Sequence, residues 1–297
     1  MIKIYDRRLE TTVEEKVLGG KLLQLLYEKP YGKPFHFFVK RKFFSSFYGK
    51  LMDTTWSKRM IPKFIQNHGL STEEILFPLN AFSSFNDFFI RRLKTAARPV
   101  SENPDAFISP CDARLLAYEH LSIDEVIQVK GLHYPLQDLL GQEALAEEFQ
   151  GGTVLIFRLN PLDYHRFHFF DEGIPGKSKA ISGSYYSVNP VALKKIPRLY
   201  IENKRVLTPF HSKHFGKALY VEVGATNVGT IVETYAPDVA VKRGQEKGYF
   251  KFGGSTVILF LQKNQVHLDQ DILKNSIEGI ETRVLFGESI GQAYKGS

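Results

Sequence analysis

GYFKFGGSTVILFLQ, residues Gly248 to Gln262, is the stretch on which the fold turns. Tyr249, Phe250 and Phe252 make a β-like run, and Gly253-Gly254 follow. Then come Ser255-Thr256 and the most apolar run of the chain, Val257 to Leu261. The pattern reads as two strands joined through the glycines, because glycine tolerates positive φ and lets backbones approach closely. A serine directly after two glycines can also turn its hydroxyl back onto the preceding carbonyl. On these residues alone an ordinary glycine turn is the commoner explanation, so the neighbouring segments have to decide.

Upstream, short alternating or β-branched runs at 105–109, 114–118, 152–159, 217–224 and 228–234 share this character and are punctuated by Gly, Pro and Asn. Before residue 100 the periodicity is helical. Thr12 and Glu15 form a capping box ahead of Val17, Leu18, Leu22, Leu25 and Leu26, and Ser71 with Glu74 opens a short helix. Ser84 with Asp87 caps FNDFFIRRL, whose Phe85, Phe88, Phe89 and Leu93 form one apolar face with Arg91, Arg92 and Lys94 beyond it. The expectation is an α+β chain: a helical, basic region over 1–100 packed on a β-rich catalytic domain over 101–297. The proline-bearing link at 98–104 is the boundary.

Composition narrows the class. The chain is 43% hydrophobic and 24% charged, as expected of a globular protein, and its 24 Phe and 14 Tyr suit strands and apolar pockets. A single cysteine, Cys111, excludes an intrachain disulfide. No secretion signal or membrane-spanning run is expected, since the N-terminus is charged and no apolar run is long enough. The net charge of +7 is concentrated in residues 1–63, which hold 14 Lys/Arg against 6 Asp/Glu. Between Phe35 and Tyr48, aromatics (Phe37, Phe38, Phe43, Phe44, Phe47) interleave with Lys40, Arg41 and Lys42. That mixture suits either a buried aromatic helix or a helix lying at an anionic lipid interface.

Three places hold polar residues among apolar strands. Asp112 follows a proline turn in SPCDARLLAY, where a carboxylate can cap the turn or orient a histidine. NPLDYHRFHFF holds Asp163, His165, Arg166 and His168. No third ligand stands at a recognisable spacing from His165-x-x-His168, so no metal is expected. Positions three apart in a strand face opposite ways, so the two histidines can serve one site only if His165 lies in a turn or bulge at the strand's start. The third place is YVEVGATNVGTI, glycine-rich and nearly apolar.

Together FNDFFIRRLKTAARP, the Asp112 segment, DYHRFHFF, VGATNVGTI, FKFGGSTV and FGESIG resemble, in this order, the phosphatidylserine decarboxylases, from about residue 80 almost to the end. One departure is Gly253, where many bacterial members have Leu. The resemblance implies a compact, barrel-like arrangement of strands and a proenzyme that cuts itself at Gly254-Ser255. Ser255 then becomes a pyruvoyl group, with which the amine of phosphatidylserine condenses as an imine before CO2 leaves to give phosphatidylethanolamine. It further implies His168 as the base for self-cleavage, Asp112 as its orienter, and His165 as the group handling protons in decarboxylation. The implied partners are phosphatidylserine in an anionic membrane and the two cleaved chains for each other. A homodimer stays open, and no nucleic acid is involved. The implied location is peripheral, on the cytoplasmic face of the cell membrane. The residues by themselves also fit a serine hydrolase using Ser255, His168 and Asp112 on an external ester, or a non-enzymatic membrane-binding β module.

Overall fold

The strand Ser255–Leu261 lies inside a large sheet, antiparallel to Lys217–Val223 on one side and to Thr153–Leu159 on the other. All seven of its residues are buried. Val257, Leu259 and Leu261 enter one core with Phe157, Phe167 and Tyr220, while Ile258 and Phe260 enter a second with Leu116, Ile156 and Leu219. A strand buried on both faces carries an unbroken apolar run, which is why this one stands out in the sequence. These descriptions come from a computed structural model of the chain, which describes residues 2–15, 48–122, 126–127, 133–193, 195–196, 198–225, 231–253 and 255–295.

From edge to edge the large sheet runs Lys179–Ile181, Arg205–Ser212, Lys217–Val223, Ser255–Leu261, Thr153–Leu159, Ala113–Tyr118, Glu281–Val284, Ile2–Asp6, Thr11–Glu15. Gly173–Pro175 also pairs with Arg205–Ser212. Only Ile2–Asp6 against Glu281–Val284 is parallel. Two three-stranded sheets, Ile231–Glu233, Glu246–Phe250 and Arg166–His168, and Val266–Leu268, Ser289–Ala293 and Ala106–Ile108, and a two-stranded one, Val126–Ile127 with His133–Tyr134, make up the rest of the described β structure. The class is α+β, as expected. The expected barrel does not form among the described residues, because the edge strands Lys179–Ile181 and Thr11–Glu15 pair with no common neighbour and the sheet stays open.

Residues 48–93 are mainly helical, and further short helices such as Leu136–Leu140, Glu143–Glu147 and Gln270–Ile277 stand among the later strands. The helix Met60–His68 ends at Gly69, whose φ of 62° is the left-handed cap that glycine adopts freely. The helix Phe85–Phe89 starts as the sequence indicates, with the Asp87 backbone N–H donating to the Ser84 hydroxyl at 3.1 Å. Phe85, Phe88 and Phe89 are buried in an aromatic cluster with Phe82, Phe64 and Phe252.

Several local expectations are corrected. Thr12 and Glu15 do not cap a helix; they belong to the strand Thr11–Glu15, which forms a hairpin with Ile2–Asp6. The Glu15 carboxylate is taken by Arg114 and Arg158, a stronger claim on it than one backbone N–H. The large sheet therefore reaches back to the start of a region read as helical. The leucines at 17–26 and the aromatic-basic segment to Phe47 lie outside the described residues. Ser71 and Glu74 form a turn, not a helix, since Ile75 bridges to Leu93 and Glu74 pairs with Arg98. Finally, Glu246–Phe250 and Ser255–Leu261 are two strands, as read, but they belong to different sheets, so the glycine segment carries the chain from one sheet to the other.

Candidate active site

Ser255 is the first residue of its strand and has no exposed surface. The segment leading to it is tied to the helical part: the Phe252 N–H donates to Asn86 Oδ1 at 2.8 Å, and Lys251 pairs with Asp53 at 3.0 Å. Gly253 has φ of 140°, a conformation that L side chains rarely adopt and glycine takes freely. Gly254 lies outside the described residues.

The side chain facing Ser255 is His165, with Nδ1 3.4 Å from Oγ. His165 immediately precedes the strand Arg166–His168. Its Nε2 lies 2.9 Å from the Asn160 carbonyl, and its ring stacks on Phe89 at 4.0 Å. Burial, followed by the nearby Arg91 cation, pushes its pKa down to about 3. The ring is therefore neutral. A carbonyl only accepts, so the proton sits on Nε2 and the Nδ1 lone pair faces the Ser255 hydroxyl. That is the orientation of a general base toward its nucleophile.

His168 sits elsewhere. Its Nδ1 lies 3.3 Å from the Pro110 carbonyl, its Nε2 3.5 Å from the Tyr164 hydroxyl, and its ring stacks on Phe286 at 3.7 Å. Burial lowers its pKa to about 4, so it too is neutral, with Nδ1–H donating to Pro110. Asp112 makes a bidentate ion pair with Arg98, at 2.7 Å from Nη2, and accepts the Phe286 backbone N–H at 2.9 Å. Among the described residues, His168 hydrogen-bonds neither Ser255 nor Asp112, contrary to expectation. The strand period explains this: three positions after His165, His168 points toward Pro110 and Phe286 instead. Asp112 reaches His168 indirectly, by fixing the Phe286 backbone whose ring covers the imidazole.

Sequence reasoning missed the support around His165. Asn160 is held by Asp163 Oδ2 at 2.7 Å from its N–H and by Glu15 at 2.9 Å from Nδ2. Arg114 joins Asp163 to Glu15, and Arg158 joins Glu15 to Glu281. Burial alone would raise the Glu15 pKa, but Arg158 and Arg114 hold it down at about 2. Arg91, placed by sequence beyond an apolar face, is only 5% exposed. Arg91 lies past the end of the helix Phe85–Phe89, where helical spacing no longer tells which way a side chain points. Among the described residues no group of three or more His, Cys, Asp or Glu is arranged to hold a metal ion.

The family model described as phosphatidylserine decarboxylase matches residues 85–292, which include Asp112, His165, His168 and Ser255. The chain belongs to the phosphatidylserine decarboxylase family. Relatives named phosphatidylserine decarboxylase proenzyme match it along nearly their whole length. The protein of Clostridium novyi (strain NT) is 50% identical over 292 residues, covering 98% of this chain and 99% of its own. That of Desulfitobacterium hafniense (strain DSM 10664 / DCB-2) is 49% identical over 297 residues, covering 100% of both. That of Clostridium tetani (strain Massachusetts / E88) is 48% identical over 294 residues, covering 99% of both. The likeness to other decarboxylase proenzymes thus extends through the N-terminal residues as well.

Proposed function

We propose that the protein is a self-cleaving phosphatidylserine decarboxylase that converts phosphatidylserine to phosphatidylethanolamine and CO2 with a pyruvoyl group made from Ser255. The observation that carries the reading is a family-matched serine with no exposed surface, its hydroxyl facing the lone pair of a neutral histidine. A hydrolase acting on external esters needs an accessible nucleophile, which argues against that alternative. A membrane-binding β module would have no use for a buried neutral histidine facing a buried serine.

The chain's own residues can make the group. Ser255 Oγ adds to the Gly254 carbonyl carbon while its proton passes to a neutral imidazole, and the peptide nitrogen leaves as an amine, giving an ester. Removal of the Ser255 α-proton expels the Gly254 carboxylate and cuts the chain. Hydrolysis of the remaining dehydroalanine releases ammonia and leaves a ketone. Contact favours His165 as the acceptor of the hydroxyl proton, whereas the family pattern places His168 there with Asp112 behind it. The pyruvoyl carbonyl supplies the electron sink that decarboxylation requires and ordinary side chains lack. Phe89 and the surrounding aromatics exclude water, and the neutral imidazole of His165 presents its lone pair to the Ser255 hydroxyl proton.

The two fragments, 1–254 and 255–297, stay together after the cut on this reading. Ser255–Leu261 is hydrogen-bonded on both edges to strands of the larger fragment and buried on both faces. No helix among the described residues is long and apolar enough to cross a membrane. We place the enzyme at the periphery of an anionic membrane, on its cytoplasmic face, with the basic charge of residues 1–63 drawing it to phosphatidylserine-bearing lipid.

Intact mass tests the reading directly. The wild-type chain resolves into two fragments, the smaller with a blocked N-terminus, and releases CO2 from phosphatidylserine. Ser255→Ala leaves one full-length chain without activity. A single uncut chain with full decarboxylase activity, or activity that survives borohydride with substrate present, overturns it.

A further inference from the structure

Beside the site lies a cavity of about 550 Å³ whose wall includes Arg91, Asn160, Tyr164 and Asp112. Arg91 differs from the other buried arginines. Its Nη2 donates to the Leu162 and Asp163 carbonyls at 3.1 and 3.2 Å, but its Nη1 is buried and makes no hydrogen bond to any described residue. Among the described residues no carboxylate pairs with it. Arg98 is paired with Asp112 and Glu74, and Arg114 with Asp163 and Glu15, so these four acids of the wall already have arginine partners. A buried guanidinium with one nitrogen unbonded and no ion pair among the described residues is costly unless a ligand supplies the anion. Burial lowers the Arg91 pKa to about 10, so the group is still a cation at neutral pH. It is also near enough to His165 to depress that ring's basicity.

We infer that Arg91 binds the phosphodiester of the lipid headgroup in this cavity. The inference rests on the decarboxylase reading and names where the substrate is held. Of the three charged groups in the headgroup, the amine must lose its charge to react and the carboxylate must leave as CO2. A fixed cation against the carboxylate would stabilise the very charge the reaction discharges. The phosphodiester keeps its charge throughout. Only the serine methylene and one ester oxygen separate it from the reacting carbon, and Arg91 follows Phe89, whose ring stacks on His165 at 4.0 Å. A planar fork suits phosphate oxygens better than an ammonium does.

The test uses the full-length Ser255→Ala chain, which stays uncut, with glycerophosphoserine as the probe. O-methylserine, which has the same amine and carboxylate but no phosphate, is the control. Arg91→Lys is expected to weaken glycerophosphoserine binding by about tenfold and Arg91→Met by more, with O-methylserine unaffected. In the cleaved enzyme, Arg91→Lys should raise KM for short-chain phosphatidylserine by a similar factor and leave kcat nearly unchanged. Should Arg91→Met fail to fold, Arg91→Lys alone decides. Unchanged glycerophosphoserine binding, equal loss of both probes, or a fall in kcat at constant KM overturns the assignment. Arg91-dependent binding in a protein whose wild type releases no CO2 would instead overturn the decarboxylase reading and leave the anion site standing.

Discussion

The helix Phe85–Phe89 and the loop from Asn160 to Asp163 approach His165 from two sides and hold it by different physics. Phe89 contributes a ring face at 4.0 Å, backed by Phe85, Phe88, Phe82 and Phe64. Those contacts are non-directional and scale with buried area, so they dehydrate the imidazole without dictating which way its nitrogens point. Asn160 contributes a carbonyl at 2.9 Å, itself fixed by Asp163, Glu15 and two arginines. Those contacts are directional, and they set the tautomer. The aromatic wall therefore makes the histidine neutral, and the charged wall makes it useful. A wall of packed rings absorbs a volume-conserving change, whereas a buried ion network fails when one member leaves and strands the others.

The sharpest break removes the histidine between the walls. His165→Ala is expected to slow self-cleavage about a hundredfold or more, since it deletes the side-chain acceptor that meets the Ser255 hydroxyl among the described residues. His168→Ala, followed by mass in the same way, is expected to cleave faster than His165→Ala and to show its deficit in CO2 release. The opposite ranking returns the cleavage base to His168.

Breaking the charged wall comes next. Glu15→Gln weakens the hold on Arg114, Arg158 and Asn160 together and is expected to cost about 2–3 kcal/mol in urea unfolding. It should also slow cleavage, because the Asn160 carbonyl loses its fixed position. A variant as stable as wild type would mean that the network is held by Asp163 and Glu281 alone.

Acid acts on what both walls do to the two histidines. Both are kept neutral by burial, with pKa values lowered from 6.5 to about 3 and about 4. Between these values and 6.5 the unfolded chain binds more protons than the folded one, so stability falls as pH falls through that window. Above about pH 7 the two contribute no pH dependence. At pH 5 the loss is about 2 kcal/mol for each histidine relative to neutral pH. Unfolding at pH 5 and 7.5, with wild type against His165→Gln and His168→Gln, measures each share; an unchanged difference would mean that neither ring is held neutral. The smallest effect is expected from Phe89→Leu, about 1 kcal/mol, with cleavage retained. A loss as large as that of Glu15→Gln would mean that the ring face orients His165 as well as drying it.

Much of this was legible in the chain itself. The double-sided apolar run Val257–Leu261, the alternating strands after residue 105 and the Ser84 cap are local patterns, and each forms where its period says it should. The order of the short motifs carried the family. Local pattern misled at Thr12 and Glu15, which have every sign of a helix cap. Glu15 meets Arg158 across 143 positions of sequence, and that contact outweighs the local preference. The same limit hid which histidine meets Ser255. His165 and His168 are chemically alike and share one motif, but the choice depends on a contact 90 positions away and on the face each residue presents at the start of one short strand. Arg91 looks like a surface charge until the loop at Leu162–Asp163 closes over it. Period and propensity are properties of neighbours along the chain, so the sequence alone determined the elements and the kind of chemistry. Facing and partnership are properties of neighbours in space, so only the tertiary structure decided which side chain stands against the serine and which buried arginine has no ion pair among the described residues.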